Sequence, residues 1–208
     1  MHRTVLNLIN IEKQIKSNLI NLKENKLPKI IAVSKTFRLD KILPLIEYGH
    51  QDFGENKVQE AVDKWSLTKE KNSNIKLHMI GKLQTNKVKF AVKLFDYIHT
   101  VDSEKLAKKI AAEQEKINKK IKIFIQVNIG DEDQKSGVSK QNLSGLVSYC
   151  NELKLNLVGL MCIPPINSDP DIYFSEMSLL NKKYNFHELS MGMSADFLIA
   201  CKNNSTYL

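Results

Sequence analysis

A parallel β/α barrel is the fold class this sequence predicts, on three observations. Short β-branched runs alternate with amphipathic helical stretches along the whole chain, which calls for a parallel sheet with short connections. Neither a G-x-G-x-x-G turn nor a P-loop pattern occurs, which counts against a doubly wound sheet. Residues suited to ligand contact gather at the C-terminal ends of the runs, at Ser34-Lys35, Glu55-Asn56, Gly81, Asn128, Met161 and Ser190. That is how a barrel furnishes its mouth.

Each element has its own signal. Leu8, Ile11, Ile15, Leu19 and Leu22 recur at helical spacing, so the chain opens with an amphipathic helix over about residues 1–25. After Pro28, residues 29–34 are short, apolar and β-branched and read as a buried parallel strand. Residues 39–48 follow with helical periodicity and stop at Gly49. Strands are then predicted at 52–54, 75–80, 97–101, 121–129, 155–163 and 188–191, and helices at 58–65, 86–94, 103–117, 142–153, 172–184 and 195–201. Ser103 and Ser194 are placed to cap the helices that follow them. Seven strands are one short of a closed (β/α)8 barrel, so the last strand is expected to be missing, leaving unpaired edges. No linker or low-complexity stretch interrupts the alternation, so residues 1–208 are expected to form one domain.

Composition removes several classes of function. No run approaches the roughly 20 apolar residues of a membrane span. Residues 1–22 lack the apolar core of a signal peptide, so the expected location is the cytoplasm. Cys150, Cys162 and Cys201 form no C-x-x-C pair, which supports neither a zinc site nor a disulfide framework. The net charge of +8 raises the question of nucleic acid. Its basic residues are spread along the chain, however, and all but Arg3 and Arg38 are lysine, whereas bidentate readout favours arginine. A solvated lysine surface is the expectation, with no nucleic-acid partner.

Lys35 stands apart because it follows a buried run. At a strand end inside a pocket, desolvation would favour the neutral amine, the form that attacks an aldehyde. On spacing alone, a lysine that merely snorkels to solvent is the better reading. The surrounding motifs separate the two readings. Ala32-Val-Ser-Lys-Thr36, Phe53-Gly-Glu-Asn-Lys-Val-Gln-Glu60 and His78-Met-Ile-Gly-Lys-Leu-Gln-Thr-Asn-Lys87 occur in that order. His99-Thr-Val-Asp102, Lys135-Ser-Gly137, Gly159-Leu-Met-Cys-Ile-Pro164 and Leu189-Ser-Met-Gly-Met-Ser-Ala-Asp-Phe197 follow. Seven such pieces, in order across nearly the whole chain, resemble the pyridoxal phosphate homeostasis proteins, whose fold is like the N-terminal barrel domain of alanine racemase.

That resemblance implies a protein that holds pyridoxal 5'-phosphate (PLP) as a Schiff base on Lys35 without catalytic turnover. It implies Ser190 as a phosphate contact, with Gly192 and Ser194 in the same loop, and Asn56 at the cofactor face. Met161 is placed either against the pyridine ring or in the core. His78 reads as a hydrogen-bonded core or rim histidine. No metal site is expected. The implied partners are PLP and PLP-dependent apo-enzymes, with the protein acting as a monomer. A PLP-dependent amino-acid racemase is the alternative, but it needs proton donors on both faces of its substrate, and this chain has no length for the additional domain that helps to supply one. The family continues into an Arg-Ile-Gly segment that is not in this sequence, so the chain is expected to be truncated, with weaker cofactor retention.

Overall fold

The computed structural model describes residues 1–22, 27–132 and 134–208; the end of the expected opening helix, 23–26, lies outside them. Eight helices and seven strands alternate among the described residues. In chain order they are α1 (Arg3–Leu22), β1 (Ala32–Val33), α2 (Leu39–Glu47), β2 (Asp52–Glu55), α3 (Val58–Lys71) and β3 (Lys76–Met79). A 3-10 turn (Thr85–Lys87) leads into α4 (Val88–Leu94), β4 (Tyr97–Val101), α5 (Glu104–Lys116), β5 (Lys122–Gln126) and α6 (Leu143–Glu152). The chain ends with β6 (Asn156–Met161), α7 (Pro170–Lys183), β7 (Glu188–Ser190) and α8 (Phe197–Lys202). The strands are all parallel and lie side by side in sequence order, β1 to β7.

Among the described residues an eighth regular strand is absent, as the sequence predicts, but the expected gap is not there. Residues 205–208 lie between the two edges, and Tyr207 bridges in parallel to both Ser190 and Lys29. The amides of Lys29 and Ile31 donate to the carbonyls of Thr206 and Leu208, at 2.8 Å each. On the other side the amides of Thr206 and Tyr207 donate to Leu189 O, and that of Met191 to Tyr207 O. Four residues thus occupy the eighth place and satisfy the backbone groups that an open edge would leave to solvent. This also explains the short β1. Residues 29–31 pair with the terminal segment on one side, and Ala32 and Val33 pair with β2 on the other.

Side chains alternate between two apolar layers. Inside the barrel, Ile31, Tyr97, Phe124, Met161 and Tyr207 pack together. Between sheet and helices lies the larger cluster, with Phe53, Trp65, Leu77, Ile98, Ile123 and Phe174 fully buried. Through Ile15 and Leu19, α1 packs on Cys201 of α8. Two helix starts differ from the sequence reading. Asp169 caps α7 by accepting from the Asp171 amide, with Pro170 at the first helical position, where its missing N–H costs nothing. Asp196, not Ser194, is at the N-cap of α8, and its carboxylate accepts from the Met193 amide. Ser103 does occupy the N-cap of α5, but its hydroxyl makes no capping bond.

All three cysteines are free and buried. Burial pushes the Cys150 thiol up to about 12 and the Cys201 thiol up to about 11. No helix among the described residues is long and apolar enough to cross a membrane.

Candidate functional site

Because every strand runs the same way, the residues that follow them meet at one end. Lys35 follows β1, Asn56 follows β2, Met161 ends β6, Ser190 ends β7, and Gly192 and Ser194 lie in the loop after β7. Only the 205–208 segment separates β7 from β1. Two interstrand spacings, about 10 Å, therefore lie between the strands carrying Ser190 and Lys35. The six residues expected from the sequence are thus gathered at the C-terminal mouth.

The side chain of Lys35 is exposed. A bound ring, rather than the protein alone, would have to supply the apolar surroundings expected for it. Its position follows from strand alternation: Ile31 faces the barrel interior and Ala32 packs on the outer layer, so Val33 and Lys35 return to the inner side. The turn that carries Lys35 is pinned from behind. Ser34 points outward, and its hydroxyl donates to Glu55 Oε1 at 2.7 Å. The same oxygen accepts from Lys64 Nζ and Trp65 Nε1 of α3, both at 2.9 Å. Lys64 Nζ also donates to the Ser34 carbonyl at 2.7 Å and to Glu60 at 3.0 Å, and Glu60 accepts the Thr36 amide at 2.6 Å. Thr36 itself is left-handed, with φ +65°. A buried acid, a nearly buried lysine and a second acid therefore fix both sides of residue 35.

Of the remaining expected residues, Asn56 is half-buried and its backbone packs against Gly81. A Cβ at Gly81 would come within 2.4 Å of the Asn56 carbonyl oxygen. Gly81→Ala is therefore expected to push the Asn56 loop aside at a cost of about 1–3 kcal/mol, read as a lower urea midpoint. An unchanged midpoint would show that the loop yields freely. Met161 belongs to the barrel-interior cluster. Gly192 takes φ +100°, which glycine adopts without strain, and Ser194 is exposed. The mouth also carries uncovered apolar side chains: Val33 is 44% exposed and Ile163, which follows β6, is 41% exposed. Elsewhere a hollow of about 500 Å³ is lined by Leu19, Asn181, His187, Asn204 and Thr206, but it contains none of the expected site residues.

Ser190 is buried, and its hydroxyl contacts His99 Nδ1 at 2.9 Å. His99 Nε2 contacts His78 Nδ1 at 2.9 Å, and His78 Nε2 contacts Asp52 Oδ1 at 3.0 Å. The sequence reading placed His78 correctly as a hydrogen-bonded core histidine but missed this chain. Its signal was present: two histidines sit inside strands that should be wholly apolar. Burial pushes the His99 imidazole well below its ordinary range, and neighbouring His78 adds to the effect. Burial also lowers His78, against the opposing pull of Asp52. Burial alone would raise the Asp52 carboxyl, but the His78 hydrogen bond and the charges of His78, Lys29 and His50 outweigh it and hold it below the usual range.

Known proteins resemble this chain in sequence and fold. The model of the alanine racemase N-terminal domain matches residues 11–207. A pyridoxal phosphate homeostasis protein of Aquifex aeolicus is 36% identical over 188 residues, covering 86% of this chain and 82% of that protein. The solved structure of PipY from Synechococcus elongatus with PLP bound is 28% identical, with a TM-score of 0.79 over 93% of this chain and 95% of that one. An alanine racemase of Clostridium difficile shares the fold alone, at 14% identity and a TM-score of 0.68 over 93% of this chain and 54% of that one. By the extent of both matches and the ordered motifs around its barrel mouth, the chain belongs to the pyridoxal phosphate homeostasis protein family, on the alanine racemase N-terminal domain fold.

Proposed function

We propose that this protein binds PLP at the barrel mouth, linked covalently through the Lys35 amine, and holds it for PLP-dependent apo-enzymes without turning over a substrate. The observation that carries the reading is the convergence of Lys35 and Ser190 at one end of a closed parallel barrel. The residues present fit the cofactor. A hydroxyl at the mouth suits a phosphate ester, and uncovered Val33 and Ile163 offer apolar surface to a ring. Asn56, Gly192 and Ser194 line the same end, where an amide, a close backbone approach and a second hydroxyl can add contacts. Bound there, PLP supplies an aldehyde for an amine. Lys35, held by the Glu55–Lys64–Glu60 network behind it, presents that amine to the open side.

An exposed mouth is suited to loading and release and poor at excluding water from a reactive intermediate. That supports a carrier over a racemase, in keeping with the name borne by the relatives. Three free buried thiols agree with work in a reducing compartment such as the cytoplasm.

The test is the visible spectrum of purified protein with added PLP, beside Lys35→Ala, before and after borohydride. A new band in the wild type only, fixed by reduction to residue 35, is the expected result. An equal band in the variant, or no band at all, would overturn the proposal.

A further inference from the structure

The Asp52–His78–His99–Ser190 chain crosses the barrel interior from the first residue of β2 to the last residue of β7. Its middle is dry: both imidazoles are fully buried, His78 stacked on Tyr97 and His99 on Phe124 at 4.3 Å between centroids. The Asp52 end is not, since 16% of its side chain is exposed.

Each of the three contacts holds a single hydrogen, which leaves little freedom. A carboxylate only accepts, so His78 Nε2 must donate to Asp52. A neutral ring then has Nδ1 as its acceptor, so His99 Nε2 donates to His78. His99 Nδ1 is in turn an acceptor, and the Ser190 hydroxyl must donate to it. The serine thereby offers lone pairs, not a hydrogen, to anything that arrives at the mouth. A dianionic phosphate needs the opposite.

We propose that Asp52, His78 and His99 are positioning residues that set the direction of the Ser190 hydroxyl, and that taking a phosphate dianion at Ser190 reverses the chain with uptake of one proton. The proposal rests on the phosphate-site reading of Ser190 given above. In the reversed chain the Ser190 hydrogen turns outward, His99 carries its hydrogen on Nδ1, and His78 carries one on its own Nδ1. That leaves His78 Nε2 bare against the Asp52 carboxylate. One proton, from solvent or from the monoanionic ester, restores that contact as an imidazolium–carboxylate pair or a neutral acid. No bond between heavy atoms forms or breaks, and the gain is one proton.

The groups facing the chain from each neighbouring element are few. Lys29 and His50 face Asp52, and Asp96 and Lys29 face His78. Tyr207 lies against both rings, with Lys29 Nζ 3.3 Å from its hydroxyl and Glu188 near it. Tyr97, bonded by Lys122 at 3.2 Å, covers the other side. Burial and Lys29 oppose a proton at the His78–Asp52 end, Asp52 and Asp96 favour it, and the dianion arriving at the other end of the chain adds to the favourable side.

Pyridoxine 5'-phosphate, which has no aldehyde, isolates the phosphate step from Lys35. Its binding heat in buffers of different ionisation enthalpy, at about pH 7.5 where the ester is dianionic, is expected to report close to one proton taken up. Its affinity should weaken by about tenfold per pH unit above that. In Asp52→Asn the amide can present either its oxygen or its NH2 to His78, so the chain reverses without a proton; uptake near zero and a flat pH profile are expected. Nitrogen-15 spectra of the wild-type histidines provide a readout that needs no variant. They should show both rings protonated at Nε2 without ligand, and a hydrogen on Nδ1 of both with the phosphate ester. Unchanged tautomers, or equal uptake in Asp52→Asn, would overturn the relay while leaving the cofactor proposal intact. Failure of the Lys35 band with PLP would overturn that proposal instead.

Discussion

Glu55→Ala is expected to lower the unfolding free energy by about 3–5 kcal/mol, the cost of breaking a buried ion pair from one side. Glu55 is fully buried and its Oε1 accepts three hydrogen bonds, from Ser34, Lys64 and Trp65. Truncation leaves the indole N–H without its acceptor, leaves the serine hydroxyl only the Gly54 carbonyl at 3.3 Å, and leaves Lys64, whose side chain is 9% exposed, with Glu60 and the Ser34 carbonyl alone. Glu55→Gln keeps an acceptor and removes the charge, so its cost should be smaller, about 1–2 kcal/mol. Urea unfolding of the two variants beside the wild type gives both numbers. A loss under about 1 kcal/mol for the alanine variant would mean that the network contributes little to stability. The alanine variant should also bind PLP less well than its residual stability suggests, because the same network fixes the Ser34 carbonyl and the Thr36 amide on either side of Lys35.

Acid should destabilise the barrel before its carboxylates titrate. His99 and His78 have folded-state values below the unfolded value near 6.5, because burial penalises their charged forms. Below that pH the unfolded chain takes up protons that the native rings refuse, so stability falls as pH drops from about 6.5 toward the folded values. Each refused proton costs about 1.4 kcal/mol per pH unit below 6.5 until the folded value is reached, and His99, the more strongly lowered of the two, should contribute more than His78. His50, lowered by burial against the pull of Asp52, acts in the same direction. Unfolding midpoints measured between pH 7 and 5 should therefore decline steadily. A flat profile over that range would mean that the buried rings carry charge in the native state.

The regular elements were legible because their periods are. Phe53, Leu77, Ile98 and Ile123 recur on the outward faces of their strands, and the helices repeat apolar residues at helical spacing. Ser205–Leu208 was not legible as a strand, since Ser-Thr-Tyr-Leu is too short to show a period and is held in place by its neighbours. The start of α8 was misjudged because a serine and an aspartate two residues apart are equally good caps on paper, and tertiary packing decides between them. At the site, the rule that ligands gather at strand ends placed Lys35, Asn56 and Ser190 together. It is blind to what lies beneath. His78 and His99 face inward between apolar neighbours, and only the barrel's closure reveals that they touch.

That closure has a consequence during synthesis. Lys29 and Tyr207 are 178 positions apart, so one edge of β1 stays unpaired while nearly the whole chain is made. At roughly 5–20 residues per second, that edge waits about 9–35 s for its neighbour. Nascent chains of this protein are thus candidates for strand exchange with one another on a polysome, and slow translation of the last third should widen the window.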